Sequence, residues 1–215
     1  ADIGTTDTGS AELFTVNVNG YYTSTQTFYA SDRQSYDYYG ALSCSLDFLG
    51  NTAVIGAFAE DTGGSDAGAA YVHSYDGSSW GGTSRHVKLQ ASDAQANDEF
   101  GRTVKINDDG TKIIVGAYGE DTGQTAAGAA YIFTGSEQSW SQQQKLQAPV
   151  PQIYAYFGLG LAINGAGTRV CVSAYGEDSV ANAGDNIGKM YIYDLSGTTW
   201  SQTATLAHPD PTSGD

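Results

Sequence analysis

Three tryptophans, Trp80, Trp140 and Trp200, stand sixty residues apart, and the residues around them recur with the same period. Gly-Ala-Ala-Tyr at Gly68–Tyr71 returns at Gly128–Tyr131, and Gly188-Lys189-Met190-Tyr191 follows one period later. An aromatic-glycine pair opens each unit at Tyr39-Gly40, Phe100-Gly101 and Phe157-Gly158. Self-similarity at a long fixed period marks a chain built from one supersecondary unit used several times. Each unit then contacts mainly its neighbours, and the array behaves as one body rather than as a set of independent domains.

The middle unit defines the module. Thr103-Val104-Lys105-Ile106 alternates polar with apolar residues and predicts a half-buried strand. Asn107-Asp108-Asp109-Gly110 is a tight turn, because Asx residues and glycine tolerate positive φ. Ile113-Ile114-Val115 is a continuous apolar run that suits a strand covered on both faces. After a polar loop over 118–127, a third strand is expected from Gly128 to Phe133 and a fourth from Trp140 to Gln147. Four antiparallel strands in about sixty residues make one propeller blade. The first unit repeats the opening strands at Leu42–Leu46 and Thr52–Ala57, and the third at Leu159–Ile163 and Thr168–Ala174. The expected fold is therefore all-β, with β-propeller-type four-stranded blades. The glycines of the aromatic pairs, Gly40, Gly101 and Gly158, are expected to let one blade's backbone approach the next.

At the chain's start, Gly9–Phe14 aligns with a third strand and Tyr21–Ala30 with a fourth. Residues before Gly9 read as the preceding loop. The expected organisation is a half blade (1–38), blades at 39–99 and 100–156, and a blade plus tail at 157–215. Propellers close with roughly four to eight blades, and an open fan exposes strand edges. This predicts a segment of a longer polypeptide, or a subunit completed by other copies or other segments, with a filament as one form of assembly.

Phe-Gly followed about sixteen residues later by Gly-Ala, then by Gly-x-x-Tyr, resembles the FG-GAP repeat of integrin α-subunit propellers. The tail Trp-x-Gln-x-x-x-Leu-x-Ala (Trp140–Ala148) is similar to a variant of that repeat found in large extracellular proteins. The resemblance spans nearly the whole chain and implies a propeller blade, an extracellular setting and, in some members, calcium in the first hairpin. Here the calcium pattern departs from the family's: Lys105 leads Asn107 and Asp109 in the second unit, and Ser45, Asp47 and Leu49 stand in the first. Asp47, Asn107 and Asn164 are read as turn-formers, with Asn107 and Asp109 as calcium ligands in the second reading. A further acidic pattern recurs at Glu60-Asp61-Thr62, Glu120-Asp121-Thr122 and Glu177-Asp178-Ser179. Asx turns or caps explain it, with Asp61, Asp121 and Asp178 as alternative calcium ligands. No other cofactor is implied.

The formal charge of −15 opposes binding to a nucleic-acid backbone or an anionic membrane. No apolar run is long enough to predict membrane insertion. The chain opens on Ala1 with no apolar signal region after it, so a targeting signal is expected to have been removed or to lie elsewhere. Cys44 and Cys171 occupy different repeat positions among apolar neighbours and are read as buried free thiols, with a bridge as the alternative. Tyr71, Tyr131 and Tyr191 and the three tryptophans read as packing residues rather than sugar platforms. His73, His86 and His208 share no repeat position, and no nucleophile elbow, zinc-protease or phosphate-loop motif is present. The function expected is a non-catalytic, extracellular structural or adhesion segment. The alternatives are a carbohydrate- or ligand-binding module, with glycans as partners, and an accessory propeller of a larger enzyme.

Overall fold

In the computed structural model, residues 8–80, 85–178 and 186–207 are described. The loop expected over 1–7, Ser179 of the third acidic triplet and the tail from His208 lie outside them. Among the described residues the elements are all strands. A two-stranded sheet of β1 (Ala11–Val16) and β2 (Tyr22–Phe28) precedes three four-stranded antiparallel meanders. The first blade holds β3 (Cys44–Leu46), β4 (Thr52–Ala57), β5 (Ala69–Ser74) and β6 (His86–Leu89). The second holds β7 (Thr103–Ile106), β8 (Lys112–Ala117), β9 (Ala129–Ser136) and β10 (Ser139–Leu146). The third holds β11 (Phe157–Ile163), β12 (Arg169–Ala174), β13 (Lys189–Ser196) and β14 (Thr199–Ala207).

The apolar runs become second strands because those strands are paired on both sides and covered on both faces. Ile113, Ile114 and Val115 are wholly buried. The alternating residues of β8 point to opposite cores. Ile113 and Val115 pack toward the first blade with Val54, Val72 and Leu89, whereas Ile114 packs toward the third with Phe157, Val170 and Val172. The same rule joins the first blade to the two-stranded sheet, where Phe28, Ala30 and Tyr39 meet Ile55, Tyr71 and Trp80.

Each junction is pinned by backbone. Isolated parallel bridges join Gly9 to Tyr39, Gly68 to Phe100 and Gly128 to Phe157. Gly101 and Gly158 take φ of +93° and +95°, and a Cβ on either would overlap the carbonyl oxygen of Ala69 or Ala129. Glycine is thus required there for two reasons, the left-handed backbone and the close approach of the preceding blade. Gly40, with φ of +74°, takes the same role against Ser10.

Two expectations need correction. The first strand of the first blade is only Cys44–Leu46, and Leu42 lies outside it, exposed. Cys44 is exposed and Cys171 half-buried; both thiols are free, but neither is a core residue. Register explains Cys44. It pairs with Ile55 across the ladder and so shares the face turned toward β1 and β2. The residues that correspond to Cys44 and Leu46 in the second blade, Val104 and Ile106, are buried because the four strands of the first blade cover them. Among the described residues the sheet of β1 and β2 has no inner strands to do the same for Cys44.

Candidate functional site

The three hairpin turns perform one task. Asp47 Oδ1 accepts from the N–H groups of Asn51 and Thr52 at 2.7 and 3.1 Å. Asn107 Oδ1 accepts from Thr111 and Lys112 at 3.0 and 2.8 Å, and Asn164 Oδ1 from Thr168 and Arg169 at 2.8 and 2.9 Å. The Asn107 amide also donates to Asp109 Oδ1 at 2.7 Å, so an N–H group faces the carboxylate that a calcium reading makes a ligand. Asp109 Oδ1 accepts from Thr111 as well, and these hydrogen bonds hold its carboxyl below the usual range. Asp61, Asp121 and Asp178 each close a loop, accepting from the N–H of Asp66, Ala126 and Asn186 at 2.9, 2.6 and 3.0 Å. The structure places these predicted residues in separate turns and brings only Asn107 and Asp109 together.

The glutamates beside those aspartates are the buried members of the triplets. Glu60, Glu120 and Glu177 are at most 2% exposed. Glu60 accepts from Thr62 N–H at 3.0 Å and pairs with Lys88 at 2.7 Å. Glu120 does the same with Thr122 and Lys145, both at 2.8 Å. The lysines come from the fourth strands and reach on across the junction to Asp32 and Asp93, which stand in the exit loops of the preceding sheets, at 2.7 Å in both cases. Tyr71 and Tyr131 donate to the same two aspartates at 2.6 and 2.9 Å. Burial would raise the Asp93 carboxyl, but the Lys145 and Tyr131 hydrogen bonds outweigh it and hold the group below its ordinary value; Asp32 behaves alike with Lys88 and Tyr71. These clusters lock one blade to the next with charge-assisted bonds.

The third junction departs from this scheme. Val150 stands where Asp93 would be, and Thr205 where Lys145 would be. Lys189, at the place of Ala129, enters from β13 instead and pairs with Glu177 at 2.7 Å, while Tyr191 donates to Glu177 at 2.6 Å. A cavity of about 760 Å³ opens here, walled by Pro149, Val150 and Ile153 and floored by Glu177, Lys189 and Tyr191.

Where β4, β8 and β12 run out, a partly exposed ladder crosses the blades. Tyr38 stacks on Phe58 with centroids 5.2 Å apart, and the Arg102 guanidinium lies 5.2 Å from the Phe58 ring and 4.6 Å from that of Tyr118. Tyr118 meets Tyr156 at 5.4 Å, and Tyr156 stacks on Tyr175 at 5.4 Å and 10°. Glu99 anchors the centre, pairing with Arg102 and accepting from Tyr118 at 2.8 Å. None of these residues was singled out from sequence. The signal available was an aromatic after the strand-ending alanine in each unit: Phe58, Tyr118 and Tyr175. By contrast, Tyr71, Tyr131, Tyr191, Trp80 and Trp200 are buried, and Trp140 packs half-buried at the blade edge, as their recurrence implied.

No helix of the described residues is long and apolar enough to cross a membrane. A search of curated proteins finds no match. A family model described as FG-GAP repeat matches residues 22–73, 83–133 and 140–193. Each match starts near a fourth strand and ends at the third strand of the next blade, so it spans one of the junctions described above. With the matches covering most of the chain and each falling on one aromatic-glycine junction, this chain belongs to the FG-GAP repeat family.

Proposed function

We propose that this protein is a non-catalytic, extracellular structural or adhesion module that assembles through the uncovered face of its third blade. One observation carries the reading. In the first blade Val54, Ala70, Val72 and Leu89 are at most 4% exposed beneath the second, as are Ile114, Ala130, Ile132 and Leu146 beneath the third. The corresponding residues of the third blade are Cys171, Met190, Ile192 and Leu206, and there Met190 is 45% and Leu206 54% exposed. A face of this kind elsewhere in the molecule always receives the aromatic-glycine edge of another blade, and contiguous apolar surface marks an interaction site. The partner in this reading is a further blade, from another copy or another segment of a parent protein. The extracellular setting rests on family membership, since FG-GAP repeats are typical of extracellular proteins. Hydroxyl-radical footprinting of the native assembly tests it: Met190 and Leu206 are expected to be protected relative to the isolated chain. Equal oxidation of both in the two states rejects the reading.

The ladder favours a second reading, a glycan-binding surface, because exposed aromatic faces stack on sugar rings. Glycan-array binding that disappears on Tyr156→Ser and Tyr175→Ser would support it; an unchanged array would remove it.

A further inference from the structure

The cavity at the third junction occupies the place that a carboxylate fills at the other two. At those junctions the Asp32 and Asp93 carboxylates each accept from a tyrosine hydroxyl and from a lysine that also holds a buried glutamate. At the third, the tyrosine, the lysine and the glutamate are all present as Tyr191, Lys189 and Glu177. The bridging carboxylate is gone, replaced by Val150; the fourth-strand lysine is Thr205, with Lys189 of β13 in its stead; and a second acid of the same loop, Asp98, has become Ala155. What is left is an apolar wall of Pro149, Val150, Pro151 and Ile153 facing a lysine and a tyrosine hydroxyl.

We infer that this cavity is a binding site for a small monocarboxylic acid with an apolar body. The carboxylate takes the position of Asp93, accepting from the Lys189 ammonium, while the single proton of the Tyr191 hydroxyl stays with Glu177 and the body lies on the proline-rich wall. Charge supports an acid over a cation. Glu60 with Asp32 and Lys88, and Glu120 with Asp93 and Lys145, each sum to one negative charge. Glu177 and Lys189 sum to zero, and an incoming carboxylate restores the balance of the other junctions; Asp178, which also lines the cavity, corresponds to Asp61 and Asp121 there and like them is turned to a loop N–H. A cation would have to displace Lys189 from Glu177, whereas an ammonium has three protons and can serve both carboxylates, as Lys88 and Lys145 do. The volume, about 760 Å³, lies within the range of small-molecule sites and suits a molecule rather than a lone ion.

The test uses the full chain titrated with hydrocinnamate, and with its amide as the neutral control, followed by backbone NMR. Saturable shifts are expected at Ile153, Lys189 and Tyr191, with the amide weaker by about tenfold or more, the worth of a charged hydrogen bond. Lys189→Met should abolish binding but strands Glu177, so a second variant carries the decision. Val150→Asp restores a resident carboxylate, and is expected to weaken hydrocinnamate by about tenfold or more while the melting temperature holds or rises. Equal affinity for acid and amide, an unaffected Val150→Asp variant, or no saturable shift at those residues overturns the assignment.

Discussion

At the scale of single residues, burial decides chemistry more than identity does. Asp37 and Asp98 occupy the same repeat position, each accepting the N–H of the residue three before it at 2.7 Å, and each is about 1% exposed. Burial pushes Asp98 up to about 6; the Gln95 N–H bond works against this shift, and repulsion from Glu120 adds to it. The folded chain therefore keeps a proton that the unfolded chain releases near the ordinary value of 3.8. Stability from this group is complete below that value and is lost as pH rises through about 6. Asp98→Asn keeps the acceptor and stays neutral. Its melting temperature is expected to exceed the parent's at about pH 7, with the gain vanishing toward about pH 4; a gain independent of pH would refute this. Gly101→Ala is the steric counterpart. A methyl group there meets the Ala69 carbonyl from a left-handed backbone, and a loss on the order of 3 kcal/mol is expected in denaturant melts.

At the scale of elements, the unit of stability is the junction rather than the blade. β9 and β10 supply Tyr131 and Lys145 to an aspartate of the first blade's exit loop and to a glutamate of their own. Removing the lysine leaves Glu120 buried without its counter-ion. Lys145→Met is therefore expected to cost about 3 kcal/mol, since breaking a buried pair is worse than lacking it. Lys145→Met combined with Glu120→Gln should recover part of that loss, because the neutral amide no longer needs a cation. Urea unfolding of the single and double variants measures the difference, and a double variant no more stable than the single one contradicts the account. The hairpin turns are cheaper features. Asn164→Ala removes the one oxygen that accepts from two exposed N–H groups and is expected to cost about 1 kcal/mol.

At the scale of the whole molecule, the described residues leave two surfaces uncovered, facing opposite ways along the array. One is the outer face of the third blade with Met190 and Leu206; the other is the inner part of the first blade with Cys44 and Leu46. They differ in kind, one offering the face that receives an aromatic-glycine edge and the other lacking inner strands against it. Contacts between unlike surfaces propagate rather than close on a pair. On the proposed reading, Met190→Asp with Leu206→Asp abolishes incorporation into the assembly that this face would build, while the melting temperature stays within a few degrees. Co-sedimentation with the assembly reads this, and undiminished incorporation counts against the third-blade face as the contact.

The period of sixty and the apolar runs between glycine turns were enough, unaided, to determine the all-β class, the four-strand meander and the role of Phe100-Gly101 as a joint. Such features are local, or repeat in register, and physical reasoning about alternation and turn residues reaches them directly. The buried glutamates were legible only as a recurring acidic triplet; that Glu60 and Glu120 lie in the core while Asp61 and Asp121 close loops depends on which way each side chain turns. Tertiary structure alone joined Lys145 to Asp93 and lined up Tyr38, Phe58, Arg102, Tyr118, Tyr156 and Tyr175 across the blades. It also exposed Cys44, whose apolar neighbours suggested a core position, because exposure depends on whether another sheet lies across that face. A repeat tells what each unit is made of; what lies against it is settled only when the units stack.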